Sequence, residues 1–160
     1  MSQYTFFYSH RSPFSNWHMR PFVMDGVEFN CSEQAMMYRK ALFFGDEACA
    51  KRIMAAAHPR DQKKLGREVN GFDGEKWDAV REDIVYEIVL AKFSHDADLK
   101  ETLLNTKGTE LVEASPYDRI WGIGLSETDE RAKDKSQWQG LNLLGKVLDR
   151  ARETLLEEKC

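Results

Sequence analysis

The chain has 160 residues and a mass of 18.5 kDa, with 42% hydrophobic residues, 31% charged residues and a net charge of −4. Folding at this size buries roughly 69% of the unfolded surface, enough for one core without metal or disulfide staples, so a single domain over 1–160 is expected and a disordered chain is excluded. The acidic balance argues against a protein that coats nucleic acid by phosphate neutralisation, though not against a local basic pocket.

No apolar run approaches the roughly 18 residues of a membrane span, so no membrane partner is expected. The start MSQYTFFYSHRS has no basic n-region followed by an apolar stretch, so no signal peptide is expected. Cys31, Cys49 and Cys160 are odd in number and widely spaced, which reads as reduced thiols in a cytoplasmic protein. With His10, His18, His58 and His95 they form no ligand constellation, so no metal is expected.

In chain order, TFFYSH at 5–10 reads as a short strand and SPFSNW at 12–17 as a loop. Asp25-Gly26 predicts a hairpin over 24–29. Asn30 or Ser32 then caps a helix to about Phe44, ended by Gly45. Short helices follow at 46–57, before Pro59, and at 61–69. Val80, Ile84, Ile88 and Ala91, flanked by Trp77, Val85 and Val89, predict a long helix over 75–94. A helix over 97–104 comes next. Strands are expected at 109–113 and 119–123, then a polar connection over 126–137 and a last helix over 141–157. Strands and helices do not alternate regularly, so the class is α+β, helix-dominated, with a few short strands.

The helix over 32–44 carries Glu33, Met36, Met37, Lys40, Ala41 and Phe44 at the spacing of a core-facing stripe. Residues seven apart lie within about 20° on the helix wheel and about 10.5 Å apart along the axis. Glu33 and Lys40 therefore open onto one cavity, if the stripe faces one. The plainer reading makes Glu33 part of a capping box with Asn30 and lets Lys40 lay its stem on Met37 and Phe44. In the cavity reading, burial raises the carboxyl pKa and lowers that of the amine, which suits acid/base or Schiff-base chemistry at a sugar carbon.

Two further clusters carry an alternative each. EASPYDRIWGIG at 113–124 is either a turn around a buried Trp or a site with Asp118, a Trp121 stacking wall and glycines that admit a ligand. WQGLNLLG at 138–145 places Asn142 to cap the last helix, or leaves that helix's first amides for a phosphate.

Together, FFYSH and SPFSNW at 6–17, SEQAMMYRKA at 32–41, Trp77 with Arg81, AKF at 91–93, LVEASPYDRIWGIGL at 111–125 and WQGLNLLGKVL at 138–148 resemble the NADAR family of YbiA-like N-glycosidases. The ordered set covers about residues 5–153. The resemblance implies a compact, mostly helical α+β domain that cleaves the bond between a base-like amine and a ribose. It implies catalytic roles for Glu33, Lys40 and Asp118, with Trp77 beside them. It implies a substrate site of Phe14, Ser15, Asn16, Trp77, Arg81, Trp121, Gly122 and Asn142, and no cofactor. The implied partner is ADP-ribosylated guanine in DNA or RNA, or a ribosylated nucleotide-like small molecule such as a phosphorylated ribosylamino-pyrimidine of riboflavin synthesis. Arg39, Arg81 and Arg119 are the candidates for phosphate contact. Other classes are a nucleotide-binding module without turnover, which has no need of an acid, amine and acid together, and an interaction protein, for which no repeated apolar surface pattern speaks. No obligate protein partner is indicated.

Overall fold

The Asp25-Gly26 turn shows how local chemistry sets the first half of the chain. Residues 3–158 are described in a computed structural model. Asp25 and Gly26 both take positive φ, 52° and 78°, which joins β2 (Phe22–Met24) to β3 (Val27–Phe29) as a tight antiparallel hairpin. Its inward rings, Phe22 and Phe29, are almost wholly buried.

Six helices follow the predicted order: α1 (Ser32–Phe43), α2 (Glu47–Ala55), α3 (Pro59–Gly66), α4 (Gly74–His95), α5 (Ala97–Leu104) and α6 (Leu143–Glu158). Asp46, Asp73 and Asp96 accept first-turn amide N–H groups of α2, α4 and α5 and fix those starts. Helix α1 departs from expectation. Its N-cap is Cys31, without a side-chain cap, and Gln34 turns back to accept the Asn30 N–H at 2.9 Å. Glu33 takes no part in that cap. Gly45, at φ +75°, ends the helix as expected.

Helix α4 packs against both α1 and α6 and supplies the centre of the main core through Ile84, Val85, Ile88, Val89 and Phe93. Strands β1 (Tyr4–Phe7) and β4 (Glu110–Glu113) pair in parallel, with Tyr4 opposite Glu110 and Phe7 opposite Glu113. Alternation along β4 sends Leu111 into the main core and Val112 into a second cluster with Tyr4, Ile123, Leu125 and Ala132.

The strand expected over 119–123 is not formed. Asp118 Oδ1 accepts the N–H groups of Ile120 and Trp121 at 2.9 and 2.8 Å, which curls the backbone there, and Gly124 adds a positive φ of 72°. The polar connection contains two 3-10 turns, Glu130–Lys133 and Lys135–Gln137. Cys31 and Cys49 are buried free thiols, and Cys160 lies outside the described residues. No helix is long and apolar enough to cross a membrane among the described residues.

Candidate active site

The site begins with a loop that serines wind locally. Ser9, Ser12 and Ser15 each use Oγ to accept the N–H two residues on, from Arg11, Phe14 and Trp17. Backbone turns step by three residues over the same stretch, the N–H groups of Ser12, Ser15 and His18 donating to the carbonyls of Ser9, Ser12 and Ser15. Two contacts then fix the loop to the helices. The Glu33 N–H donates to the Asn16 carbonyl at 2.9 Å, and Lys92 Nζ donates to the carbonyls of Pro13 and Ser15 at 2.6 and 3.2 Å. Lys92 is 1% exposed, and burial lowers its pKa to about 7.

Three helices and the 113–121 segment meet this loop around an inner cavity of about 200 Å³. Helix α1 supplies Glu33, Met36, Met37 and Lys40. Helix α3 and its C-cap supply Lys63 and Arg67. At Gly66 α3 passes so close to α1 that a Cβ would meet the Met37 side chain. Helix α4 supplies Trp77, and the 113–121 segment supplies Glu113, Asp118 and Trp121. A wider cleft of about 890 Å³ shares Trp17, Lys63, Arg67, Glu113, Asp118 and Trp121 with the cavity and continues outward past Tyr8, His10, Tyr117 and Arg119.

The electrostatics follow from three carboxyl groups sharing a confined space. Glu33 is 3% exposed, and its pKa is raised to about 7. Burial is the main cause and the Asp118 charge adds to it, while Lys63, a hydrogen bond from the Trp17 side chain and Lys40 oppose it. Glu113 is raised to about 8, again chiefly by burial, then by Asp118 and Glu33, with Lys63 opposing. Lys40 is lowered by burial against the pull of Glu33. Its Nζ sits 4.6 Å from the Phe72 ring centroid and 6.0 Å from that of Trp77, a cation–π cradle for the amine. Such an array favours a proton on one acid, leaves another available as base and eases loss of the lysine proton relative to a solvated amine.

Of the residues singled out in the sequence, Glu33, Lys40, Asp118, Asn16, Trp77 and Trp121 line the inner cavity. Ser15 lines the outer cleft. Phe14 is in the core, in contact with the rings of Phe7 and Phe93. Arg81 pairs with Asp78 at 2.8 Å, and Arg39 with Glu87 at 3.0 Å, so of the three arginines named for phosphate only Arg119 faces the cleft. Gly122 permits close backbone packing, since a Cβ there would meet the Glu113 carbonyl at 2.9 Å. Asn142, at φ 52°, accepts the Glu113 N–H and donates to the Leu111 carbonyl. The amides of Asn142, Leu143 and Leu144 donate to the carbonyls of Gly122, Ile120 and Trp121, so the start of α6 is not open to a phosphate. Sequence reasoning passed over Glu113, Lys63 and Arg67. Glu113 sits at the end of a four-residue strand whose two preceding residues are both buried, so no alternation signals its direction. Lys63 lies in a charged run where no spacing separates it from its neighbours. Among the described residues no group of three or more His, Cys, Asp or Glu is arranged to hold a metal ion.

A profile of the NADAR domain matches residues 6–156. The chain is 44% identical to the protein irg-1 of Caenorhabditis elegans over 81% of its own length, and the match spans 62% of that protein. It is 43% identical to an N-glycosidase of Acanthamoeba polyphaga mimivirus, over 88% of this chain and 85% of the relative. The NMR structure of the Escherichia coli protein YbiA superposes with a TM-score of 0.82 at 29% identity, covering 99% of this chain and 89% of that one.

Proposed function

This chain belongs to the NADAR domain family, and we propose that the N-glycosyl bond it hydrolyses joins ADP-ribose to guanine in modified nucleic acid. The observation that carries this reading is the opening of Glu33 and Lys40, with Asp118, onto one cavity. Breaking a bond from ribose C1′ to nitrogen builds positive charge on that carbon and the ring oxygen, and a buried carboxylate beside them stabilises it. Glu33 has that role and accepts a proton from the attacking water. Asp118 orients the ribose hydroxyls. Lys40, as free amine, attacks C1′ of the ring-opened sugar; the bond from C1′ to the guanine nitrogen breaks with its electron pair and a proton going to that nitrogen, and the water that gives its proton to Glu33 then hydrolyses the C1′ imine and returns the amine.

The outer cleft supports the nucleotide part of the substrate. Lys63, Arg67 and Arg119 form no ion pair among the described residues, which leaves them available to phosphate. The rings of Tyr8, Trp17, Tyr117 and Trp121 line the same cleft, and stacking on such a ring contributes about 1–3 kcal/mol per base. A binding module would gain nothing from three carboxyl groups facing a phosphate-bearing ligand.

Offering the purified protein ADP-ribosylated guanosine DNA and, separately, a phosphorylated ribosylamino-pyrimidine tests the reading. Free guanine-containing product with free ADP-ribose is the expected outcome, and borohydride added during turnover traps an adduct on wild type but not on Lys40→Arg. Cleavage of the pyrimidine alone assigns the chain to the riboflavin-intermediate branch. Absence of any adduct while Lys40→Ala stays active overturns the imine.

A further inference from the structure

Glu113 stands in the site without a part in the chemistry assigned above, and its backbone shows how firmly it is placed. It is the last residue of β4, opposite Phe7 of β1. Its N–H donates to Asn142 Oδ1 at 3.0 Å, and its carbonyl accepts the Ile123 N–H at 3.0 Å. Strand alternation turns its side chain to the face of Leu111, toward α1 and the cavity, and it lines both the cavity and the cleft. Oε2 is buried and has no hydrogen-bond partner among the described residues. A buried, unpartnered carboxyl oxygen is costly and persists where its partner arrives from outside.

We propose that Glu113 is the general acid of the reaction: its carboxyl O–H delivers a proton to the nitrogen that leaves C1′ as the N-glycosidic bond breaks. The inference rests on the hydrolase reading above. The bond between C1′ and nitrogen breaks with its electron pair going to nitrogen, which takes the Glu113 proton. Water then attacks the C1′ imine left on Lys40, supplies the oxygen that ends on C1′ and gives its other proton to Glu33, and Lys40 departs as amine. Return of that proton through solvent to Glu113 resets both groups. The charges facing Glu113 settle which acid keeps the proton. Glu33 of α1 and Asp118 of the following loop disfavour a third negative charge, while Lys63 of α3 favours it. Lys40 and Arg67 complete the inner wall, and His10 and Arg119 stand in the cleft beyond. Glu33 receives a hydrogen bond from the Trp17 side chain, which favours its ionised form, whereas Glu113 Oε2 has no donor among the described residues, so Glu113 is the carboxyl suited to keep the proton and Glu33 the one suited to act as base.

The test has a part that requires no substrate. Glutamate side-chain carboxyl carbons, labelled with carbon-13 and followed by NMR, should include one resonance that titrates near pH 8. That resonance should be absent from Glu113→Gln, with Glu113→Asp as the second assignment variant. With ADP-ribosylated guanosine, Glu113→Gln should lose at least about 100-fold in kcat with little change in KM, and should lose the alkaline limb of the pH profile. A Glu113 resonance titrating near the ordinary value of about 4.3 overturns the proposal. So does a Glu113→Gln protein with wild-type kcat and pH profile. Because the titration is read on the free protein, its failure is separable from failure to find a cleaved substrate.

Discussion

Glu33 is the residue on which the capping and catalytic readings of α1 diverge, and the geometry of the helix start separates them. Gln34 supplies the return hydrogen bond that a capping glutamate would have made, so the Glu33 side chain has no capping task. What its burial does is raise its pKa to about 7, where it changes protonation within the working range of a base. Glu33→Gln should fold with an unchanged circular dichroism spectrum and lose at least about 100-fold in turnover. Retained turnover would leave Glu33 a polar lining residue only. The spacing of the stripe made Glu33 and Lys40 legible, because i and i+7 share a helix face whatever surrounds them. Glu113 was not legible in the same way. Its direction depends on which neighbour each face of β4 meets, and the two faces pack into different clusters.

At the scale of elements, the glycines near the end of the chain record how closely α6 approaches β4. A Cβ on Gly145 would fall 2.0 Å from the Leu111 carbonyl and 2.4 Å from Asn142 Nδ2. Alanine gains about 1 kcal/mol in helix propensity over glycine. Forcing α6 away from β4 costs about 1–3 kcal/mol or more, and it disturbs the Asn142 side chain that fixes the Glu113 amide. Gly145→Ala should therefore lower the melting temperature, by about 2–4 °C per net kcal/mol lost, and lower turnover with it. A protein of unchanged melting temperature would show that α6 can shift freely. The loop at 12–17 shows a related dependence, since its serines set the turns but Lys92, far along the chain on α4, fixes the loop in place. The periodicity of α4 marked its apolar stripe without showing that a lysine beside Phe93 would be buried within it.

For the whole molecule, the site is a cost to stability that pH reveals. Glu113 has a folded pKa of about 8 against an ordinary 4.5, so the folded state holds its proton where the unfolded state has lost it. The stability this carboxyl contributes is whole below about 4.5 and is lost as pH rises to about 8. Glu113→Gln cannot ionise and escapes that loss. Its melting temperature should match wild type at pH 4 and exceed it at pH 9, read by calorimetry at each pH. A variant that melts with wild type at both values would mean that Glu113 is hydrated in the folded protein.

The helices, the Asp25-Gly26 hairpin and the shared face of Glu33 and Lys40 are encoded locally, because each follows from interactions within a few residues along the chain. The curl of 119–123 is local as well, set by the Asp118 carboxylate two and three residues away, although the apolar residues there read as a strand. Long-range packing settled that Tyr4–Phe7 pairs in parallel with Glu110–Glu113 and that Glu113, Lys63 and Arg67 join the cavity. Those outcomes depend on segments far apart in the chain, whose contacts fix which way each side chain faces, and no local periodicity encodes that choice.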